Sequence, residues 1–193
     1  MTESGTGLRA RLIDVGVELV AAEGAQALTL REIARRAGVS HGAPRRYFPT
    51  HLELLSAIAR RGFADLGDRV RPALEGGDGD PRAQVTELAR VYLEFALDNP
   101  GMYELMFRHD LLESGHLGLR DTSLPLFGLL ADLVGRARPE ADARRTAGAL
   151  WGNLHGIAQL WHWGSLQLAT GDEDFGPLLD AALLAHLGPE GGR

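Results

Sequence analysis

The sequence has 20 basic residues, all of them arginine, and it contains neither lysine nor cysteine. Without cysteine the chain can form no disulfide, thiolate nucleophile, Cys-ligated zinc site or iron–sulfur cluster. No apolar run approaches the roughly 20 residues that span a bilayer. The first seven residues are small and polar, unlike a signal peptide. We therefore expect a cytoplasmic protein with no membrane partner.

The composition is that of an ordinary globular protein, with 45% hydrophobic and 24% charged residues. A chain of 193 residues is expected to form one or two domains. It buries about 70% of its unfolded surface, so it needs no disulfide or metal ion to fold.

The net charge of −6, by itself, argues against a nucleic-acid partner. The charge is unevenly distributed, however. Residues 1–61 hold nine arginines and six acids, a net of +3, whereas residues 62–193 hold eleven arginines and twenty acids, a net of −9. This asymmetry is expected if only the N-terminal part of the chain meets a polyanion.

The N-terminal part shows the spacing and caps of short helices. Apolar residues recur every three or four positions from Leu8 to Ala22, which predicts an amphipathic helix that ends at Gly24. Thr29 and Glu32 form a capping box that opens a second helix, and Ser40 can cap a third. A second capping box, residues 50–53, opens a fourth helix.

The rest of the chain also has helical spacing. A Gly- and Asp-rich loop, residues 75–81, precedes it. Further helices are predicted over about 81–98, after Asn99-Pro100, over about 117–137, from Pro139 to about Thr170, and over 175–187. No strand-like alternation with hairpin turns occurs in the sequence. The predicted fold is all-α.

The second and third predicted helices have the spacing of a helix-turn-helix that reads DNA. Ala34 is small where the two helices must approach closely, and Gly38 can adopt the positive φ of a sharp turn. Val39 and Ala43 then face the core, and the outward positions are His41, Gly42, Arg45 and Arg46. A helix fits the major groove, which is about 12 Å wide. The pattern alone is equally consistent with a capped three-helix unit that has a solvated basic face.

Residues 28–49 closely resemble the N-terminal domain of TetR/AcrR-family transcriptional regulators, and the resemblance extends over about 8–60. It implies an all-helical homodimer that binds a double-stranded, pseudo-palindromic DNA operator, most often as a repressor released by a small-molecule effector. It places Thr29, Leu30 and Arg31 at the phosphate backbone, with His51 at another phosphate. The implied recognition surface consists of Ser40, His41, Gly42, Ala43, Arg45 and Tyr47. Arg46 is expected to contact DNA because its position in the predicted third helix faces outward.

The resemblance implies a DNA-binding domain over residues 1–60, with its motif at about 29–48, and a ligand-binding and dimerisation domain over 61–193. Three residues depart from the family pattern. Arg45 stands where the family usually has tyrosine, so it can bind phosphate or read a base. His51 replaces a lysine, and Pro44 replaces a leucine and is expected to remove at most about one backbone hydrogen bond.

A second resemblance lies in the C-terminal part. Residues 99–107 and the Trp151-Gly-Asn-Leu-His155-Gly segment look like the regulatory domain of the TetR subgroup with a W-x₃-H-G signature. The subgroup dimerises through its last two long helices and binds its effector in this domain. The implied effector residues are Tyr103, Met106, Phe107, Trp151 and His155. The alternative for Trp151 and His155 is a core aromatic ring packed on a hydrogen-bonded histidine.

Competing sites are weaker. His109, Glu113 and His116, with Asp110 adjacent, could offer metal ligands from one helix face, but Gly115 interrupts that helix, and we expect no metal site. The sequence has no Gly-rich phosphate loop and no G-x-S-x-G elbow. We therefore expect no cofactor and no enzymatic activity. The alternative to a regulator is a helical small-molecule-binding module whose DNA binding is vestigial.

Overall fold

A computed structural model describes residues 5–75, 79–108, 110–111 and 118–189. These residues form helices and contain no strand, so the predicted all-α fold is confirmed. The helices are α1 (Gly5–Glu23), α2 (Leu30–Arg36), α3 (His51–Glu75), α4 (Pro81–Asp98), α5 (Pro100–Met106), α6 (Leu119–Ala137), α7 (Ala143–His162), α8 (Ser165–Thr170) and α9 (Gly176–Leu187). Single 3₁₀ turns lie at Ala25–Ala27 and Pro44–Arg46. Among the described helices, none combines the length and apolar character needed to cross a membrane.

The chain packs as two compact units. The N-terminal unit comprises Met1–Asp65 and Asn99–Ser123, and the C-terminal unit comprises Leu66–Asp98 and Leu124–Arg193. Helix α3 therefore contributes its first part to one unit and its last part to the other. Helix α5 packs with the N-terminal unit although it lies more than 30 residues beyond the predicted DNA-binding domain. The functional boundary between residues 60 and 61 stays a prediction.

Close contacts between helices build the core of the N-terminal unit. Leu12, Ile33 and Ile58, from α1, α2 and α3, are completely buried. Gly16 of α1 lies against Ile58, and a Cβ at residue 16 would overlap that side chain. Gly101 of α5 lies equally close to the backbone of α1, because a Cβ there would be 2.6 Å from the Val20 carbonyl oxygen. At residue 101 the contact is with backbone, which cannot move aside as the end of the Ile58 side chain can, so glycine is required there.

Two arginines hold the end of α9 in the C-terminal unit. The last carbonyls of a helix have no partner within the helix. Here Arg82 donates hydrogen bonds to the carbonyl oxygens of Leu187 and Gly188, at 3.1 and 2.6 Å. Arg138 donates to that of His186 at 2.9 Å. Two cations at a helix C-terminus also complement the negative end of its dipole. These contacts fix the end of α9 to α4 and to the residue that follows α6.

The single long helix predicted from Pro139 to about Thr170 is wrong. Helix α7 begins later, because the Asp142 side chain accepts a hydrogen bond from the Arg145 N–H at 3.1 Å and caps it. The helix ends at His162, since Gly164 adopts a left-handed conformation with φ +74°. Helix α8 starts only after this turn.

The predicted third helix is also wrong as an α-helix. Residues 40–48 form a turn and one 3₁₀ turn, in which Ala43 N–H donates to the Ser40 carbonyl at 2.9 Å and Tyr47 N–H to that of Pro44 at 3.0 Å. An α-helix would require residue 44 to donate to Ser40, and proline has no N–H. The ring of Pro44 is buried. The cost of Pro44 in backbone hydrogen bonds stays a prediction.

Candidate nucleic-acid interface

The start of α2 and the turn after it are built by local signals that the sequence contains. Thr29 caps α2, because its hydroxyl oxygen accepts a hydrogen bond from Glu32 N–H at 3.1 Å. Gly38 adopts φ +65°, and Val39 N–H donates to the Ala34 carbonyl at 3.0 Å, which closes the end of α2. The chain is thereby turned directly into the 40–48 segment.

Most predicted DNA-contacting residues are exposed at this turn and at the starts of α2 and α3. The exposed ones are Thr29, Arg31, Ser40, His41, Gly42, Arg45, Arg46 and His51. Partly buried are Leu30, Ala43 and Tyr47. The exposed residues of this set are accessible on the N-terminal unit, and the DNA contacts of the whole set stay predictions.

Two arginines of α2 are neutralised within the protein. Arg35 and Arg36 donate hydrogen bonds to the Glu32 carboxylate at 2.6–2.8 Å, and Arg36 also pairs with Glu23 of α1. The hydrogen bonds from Arg35 and Arg36 lower the pKa of Glu32 from its ordinary 4.5 to about 2. Glu32 is therefore ionised at neutral pH, and its charge offsets those of its partners.

Five other arginines of this unit have no acidic partner within the described part of the chain. They are Arg9, Arg31, Arg45, Arg46 and Arg60. Among the described residues, none of the five has a carboxylate oxygen within 4.0 Å. Three of them were predicted to contact DNA, whereas the paired Arg35 and Arg36 were not. The unit thus presents cations on the predicted DNA-facing side that no acid of its own neutralises.

His51 occupies the position where the family has a lysine, and it has an internal partner. Its Nε2 lies 2.6 Å from the Leu28 carbonyl oxygen. A carbonyl can only accept, so Nε2 carries a proton and donates it. In the neutral ring the remaining Nδ1 is an acceptor, and only the doubly protonated ring can donate to a phosphate. His51 also ties the start of α3 to the segment that leads into α2.

The predicted effector residues fall in both units. In the N-terminal unit, Tyr103 and Met106 are buried and Phe107 is partly buried. The Tyr103 and Phe107 ring centroids are 5.0 Å apart, and Phe63 packs edge-on against Phe107 at 5.6 Å. Trp151 and His155 lie in the C-terminal unit, on one side of α7. An effector contact stays a prediction for all five.

A hydrogen-bonded cluster surrounds His155. Its Nδ1 lies 3.0 Å from the Tyr92 hydroxyl, which also accepts a hydrogen bond from the Trp151 Nε1–H at 3.2 Å. Burial lowers the pKa of His155, which favours the neutral imidazole. Tyr92 was predicted only as an apolar residue of α4. A hydroxyl at a buried position was the sequence signal that could have indicated a polar partner.

Of the residues weighed as metal ligands, His109, Glu113 and His116 lie outside the described residues. Asp110 binds Arg108 at 2.6 Å. Among the described residues, no group of three His, Asp or Glu side chains could hold a metal ion.

Sequence comparison identifies the family. Residues 12–58 match the sequence model of the bacterial regulatory proteins of the tetR family, and residues 85–185 match that of the Tetracyclin repressor-like C-terminal domain. The chain belongs to the TetR family. The second match covers the part of the chain that contains α7, Trp151 and His155.

Several individual proteins are similar to this chain. An HTH-type transcriptional regulator of Mycobacterium tuberculosis is 30% identical over 101 residues, which is 52% of this chain and 43% of that protein. The chain thus spans less than half the length of this curated relative. A solved structure from Rhodococcus sp. RHA1, of unknown function, is 28% identical with a TM-score of 0.74, covering 96% of this chain and 95% of that one. The structure of AibR in complex with isovaleryl coenzyme A and operator DNA has a TM-score of 0.69 at 13% identity, covers 94% and 99% of the two chains, and shows a shared fold.

Glu32 gives this TetR-family protein a testable acid dependence. A carboxyl whose pKa is lowered on folding stabilises the fold above its unfolded pKa, and this stabilisation is lost as the pH falls towards the folded value. We expect the difference in unfolding free energy between wild type and Glu32→Gln to be constant above pH 4.5 and to shrink between pH 4.5 and about 2. Urea unfolding across this range measures it. A difference that does not change with pH would contradict the assignment.

Proposed function

We propose that this TetR-family protein is a sequence-specific DNA-binding transcriptional regulator, and that it represses from a palindromic operator until a small-molecule effector releases it. One observation carries the proposal. Arginines at the predicted DNA contacts have no acidic partner within the described residues, whereas Arg35 and Arg36 on the same helix-turn-helix are neutralised by Glu32. Unpartnered guanidinium groups are suited to phosphate oxygens, which they bind in a bidentate manner.

The 40–47 segment would provide the base contacts and the start of α2 the phosphate contacts. Exposed Arg45 can reach a guanine edge or a phosphate, and Arg46 lies beside it. Thr29 and Arg31 would bind the backbone and fix the register. His51 would add a phosphate contact in its protonated form.

Salt dependence of DNA binding tests this function. For a protein that binds phosphates, the logarithm of the DNA-binding constant falls linearly with the logarithm of the salt concentration. The steepness of this line, the salt slope, is about 0.9 for each phosphate contact. We expect binding to a duplex from upstream of the protein's own gene to show this dependence and to exceed binding to a duplex of scrambled sequence. Equal affinity for the two duplexes at physiological salt would contradict sequence-specific regulation.

The protein is further proposed to be a homodimer that forms through α7 and α9. Large apolar side chains are exposed along this part of the C-terminal unit: Leu160, Trp163, Leu168 and Leu184, with exposed fractions of 40, 68, 89 and 56%. A groove between α7 and α9 is lined mainly by small and aliphatic residues, among them Gly152, Gly156 and Ala181. A second copy of the chain would cover this apolar face.

Leu184→Glu is expected to dissociate this dimer. A buried leucine contributes about 1.5 kcal/mol or more, and the two-fold symmetry removes it twice, so the dissociation constant should rise at least about 100-fold. Sedimentation velocity at micromolar protein measures the change. Leu124→Glu is the matched control, because Leu124 is 58% exposed but lies on α6. A dimer that survives Leu184→Glu, or one that Leu124→Glu disrupts equally, would contradict the assigned face.

The effector is proposed to be an apolar small molecule bound near Trp151 and His155, and the protein to belong to the W-x₃-H-G subgroup. Trp151 is 39% exposed and lies 6.1 Å from Phe127, centroid to centroid. Together with the neutral His155, these rings offer an apolar surface with few polar groups, as ligand sites do. Tyr103, Met106 and Phe107 stay predicted effector residues on sequence grounds.

A further inference from the structure

Arg9 of α1 is held against the helix-turn-helix by an aromatic ring. Its guanidinium carbon lies 5.1 Å from the centroid of the Phe48 ring. Phe48 is only 2% exposed. It directly follows Tyr47, the last residue of the 40–47 segment that is predicted to contact bases, called here the recognition segment. Arg9 itself is exposed. An arginine of the first helix is thereby in contact with the residue that directly follows the 40–47 segment, which contains Arg45 and Arg46.

The way in which Arg9 is held leaves its charge available. A cation stacked on an aromatic face is positioned without being neutralised. No carboxylate of the described chain lies within 4.0 Å of Arg9. Asp14, farther along the exposed side of α1, pairs instead with Arg61 at 3.7 Å. Arg9 therefore differs from Arg35, whose charge is offset by Glu32.

We infer that Arg9 binds a DNA phosphate beside the recognition segment, as an anchor that does not read sequence; the inference rests on the proposed function. The cation–π contact with Phe48 gives the guanidinium no hydrogen-bond acceptor, so its N–H groups remain available to a phosphate. Phosphate contacts position a protein on the duplex and carry no base information. The DNA interface thus extends beyond residues 29–51 to α1.

The test compares Arg9→Gln with wild type on a 30-base-pair duplex of mixed sequence and on the duplex from upstream of the protein's own gene. Because each lost phosphate contact removes about 0.9 from the salt slope, the slope should fall by about two for a dimer. Affinity in 0.1 M salt should weaken roughly five- to tenfold per contact on both duplexes, since the contact does not depend on sequence. Arg9→Lys, which keeps the charge, should retain the wild-type slope.

Two further variants make the result decisive. Arg9→Met removes the charge but keeps an apolar chain that packs on Phe48, so it should lower the slope as Arg9→Gln does even if one of the two is less stable. Arg35→Gln removes a paired arginine of the same unit and should leave the slope unchanged. A wild-type slope in both Arg9→Gln and Arg9→Met, or an equal fall in Arg35→Gln, would overturn the inference. Absence of DNA binding by wild type would instead overturn the proposed function.

Discussion

Replacing both Arg45 and Arg46 by glutamine is expected to weaken DNA binding about a thousandfold in 0.1 M salt. Both side chains are exposed, and neither has an acidic partner within the described residues. A dimer would lose four cationic contacts. At about 0.9 per contact the salt slope falls by between three and four, which corresponds to this loss of affinity. Fluorescence anisotropy with labelled duplexes at several salt concentrations measures both quantities.

The control is the double variant Arg35→Gln/Arg61→Gln. It also removes two exposed arginines from the N-terminal unit, but these two are paired with Glu32 and Asp65. We expect it to bind DNA nearly as wild type does. If the two double variants lost affinity equally, the total charge of the unit, and not the unpaired arginines, would control binding. Comparing Arg45→Gln on upstream and scrambled duplexes then separates base reading from phosphate binding.

Gly101→Ala is expected to destabilise the N-terminal unit by about 2–3 kcal/mol, the upper part of the range that is typical of overpacking. The added Cβ would lie 2.6 Å from the Val20 carbonyl oxygen and 3.2 Å from the Gly24 Cα. Both atoms are backbone, so they cannot move aside as a side-chain end can. Helix α5 would therefore have to shift away from α1. Chemical denaturation of the variant measures the loss.

Gly128→Ala is the matched control, because residue 128 also lies within a helix and a Cβ there would meet nothing within 4 Å. Alanine is favoured over glycine inside a helix by up to about 1 kcal/mol. We therefore expect Gly128→Ala to be neutral or stabilising. Equal effects of the two substitutions would contradict the close approach of α5 to α1.

The fold was predictable wherever a local signal determines it. Thr29 and its partner three residues later specify the start of α2, and a glycine at position 38 specifies the turn. The bounds of α4 follow from Pro81 and from the Asn99-Pro100 pair. Each of these signals involves residues that lie within one helical turn of each other, so the signal can be recognised from the sequence alone.

The sequence pattern did not predict the structure where a single residue changes the backbone conformation inside a helical pattern, or where residues far apart in sequence are in contact. Pro44 was weighed as the loss of one hydrogen bond, but the segment adopts 3₁₀ geometry around it. Gly164 interrupts a stretch that is otherwise helical in pattern, because it takes a left-handed conformation. Contacts between residues far apart in sequence, such as Tyr92 with His155 and Arg9 with Phe48, leave no periodic signal.

The charge state of the interface was partly predictable. Glu32 lies three and four residues from Arg35 and Arg36, the spacing at which helix side chains pair. The Thr29–Glu32 capping box predicts a different role for this carboxylate, as a partner of free backbone N–H groups. The second partner of Arg36 is Glu23 of α1, and only the packing of α1 on α2 brings that pair together. Separating paired from unpaired arginines therefore required the structure.

Footprinting on DNA flanking the protein's own gene tests the central claim most directly. A dimer with one recognition segment per subunit should protect a palindrome whose half-sites lie about 34 Å apart, or a multiple of that distance. The Arg45→Gln/Arg46→Gln variant should give no footprint under the same conditions, and Arg35→Gln/Arg61→Gln should give the wild-type one. Folded wild-type protein that protects no segment at physiological salt would contradict the account.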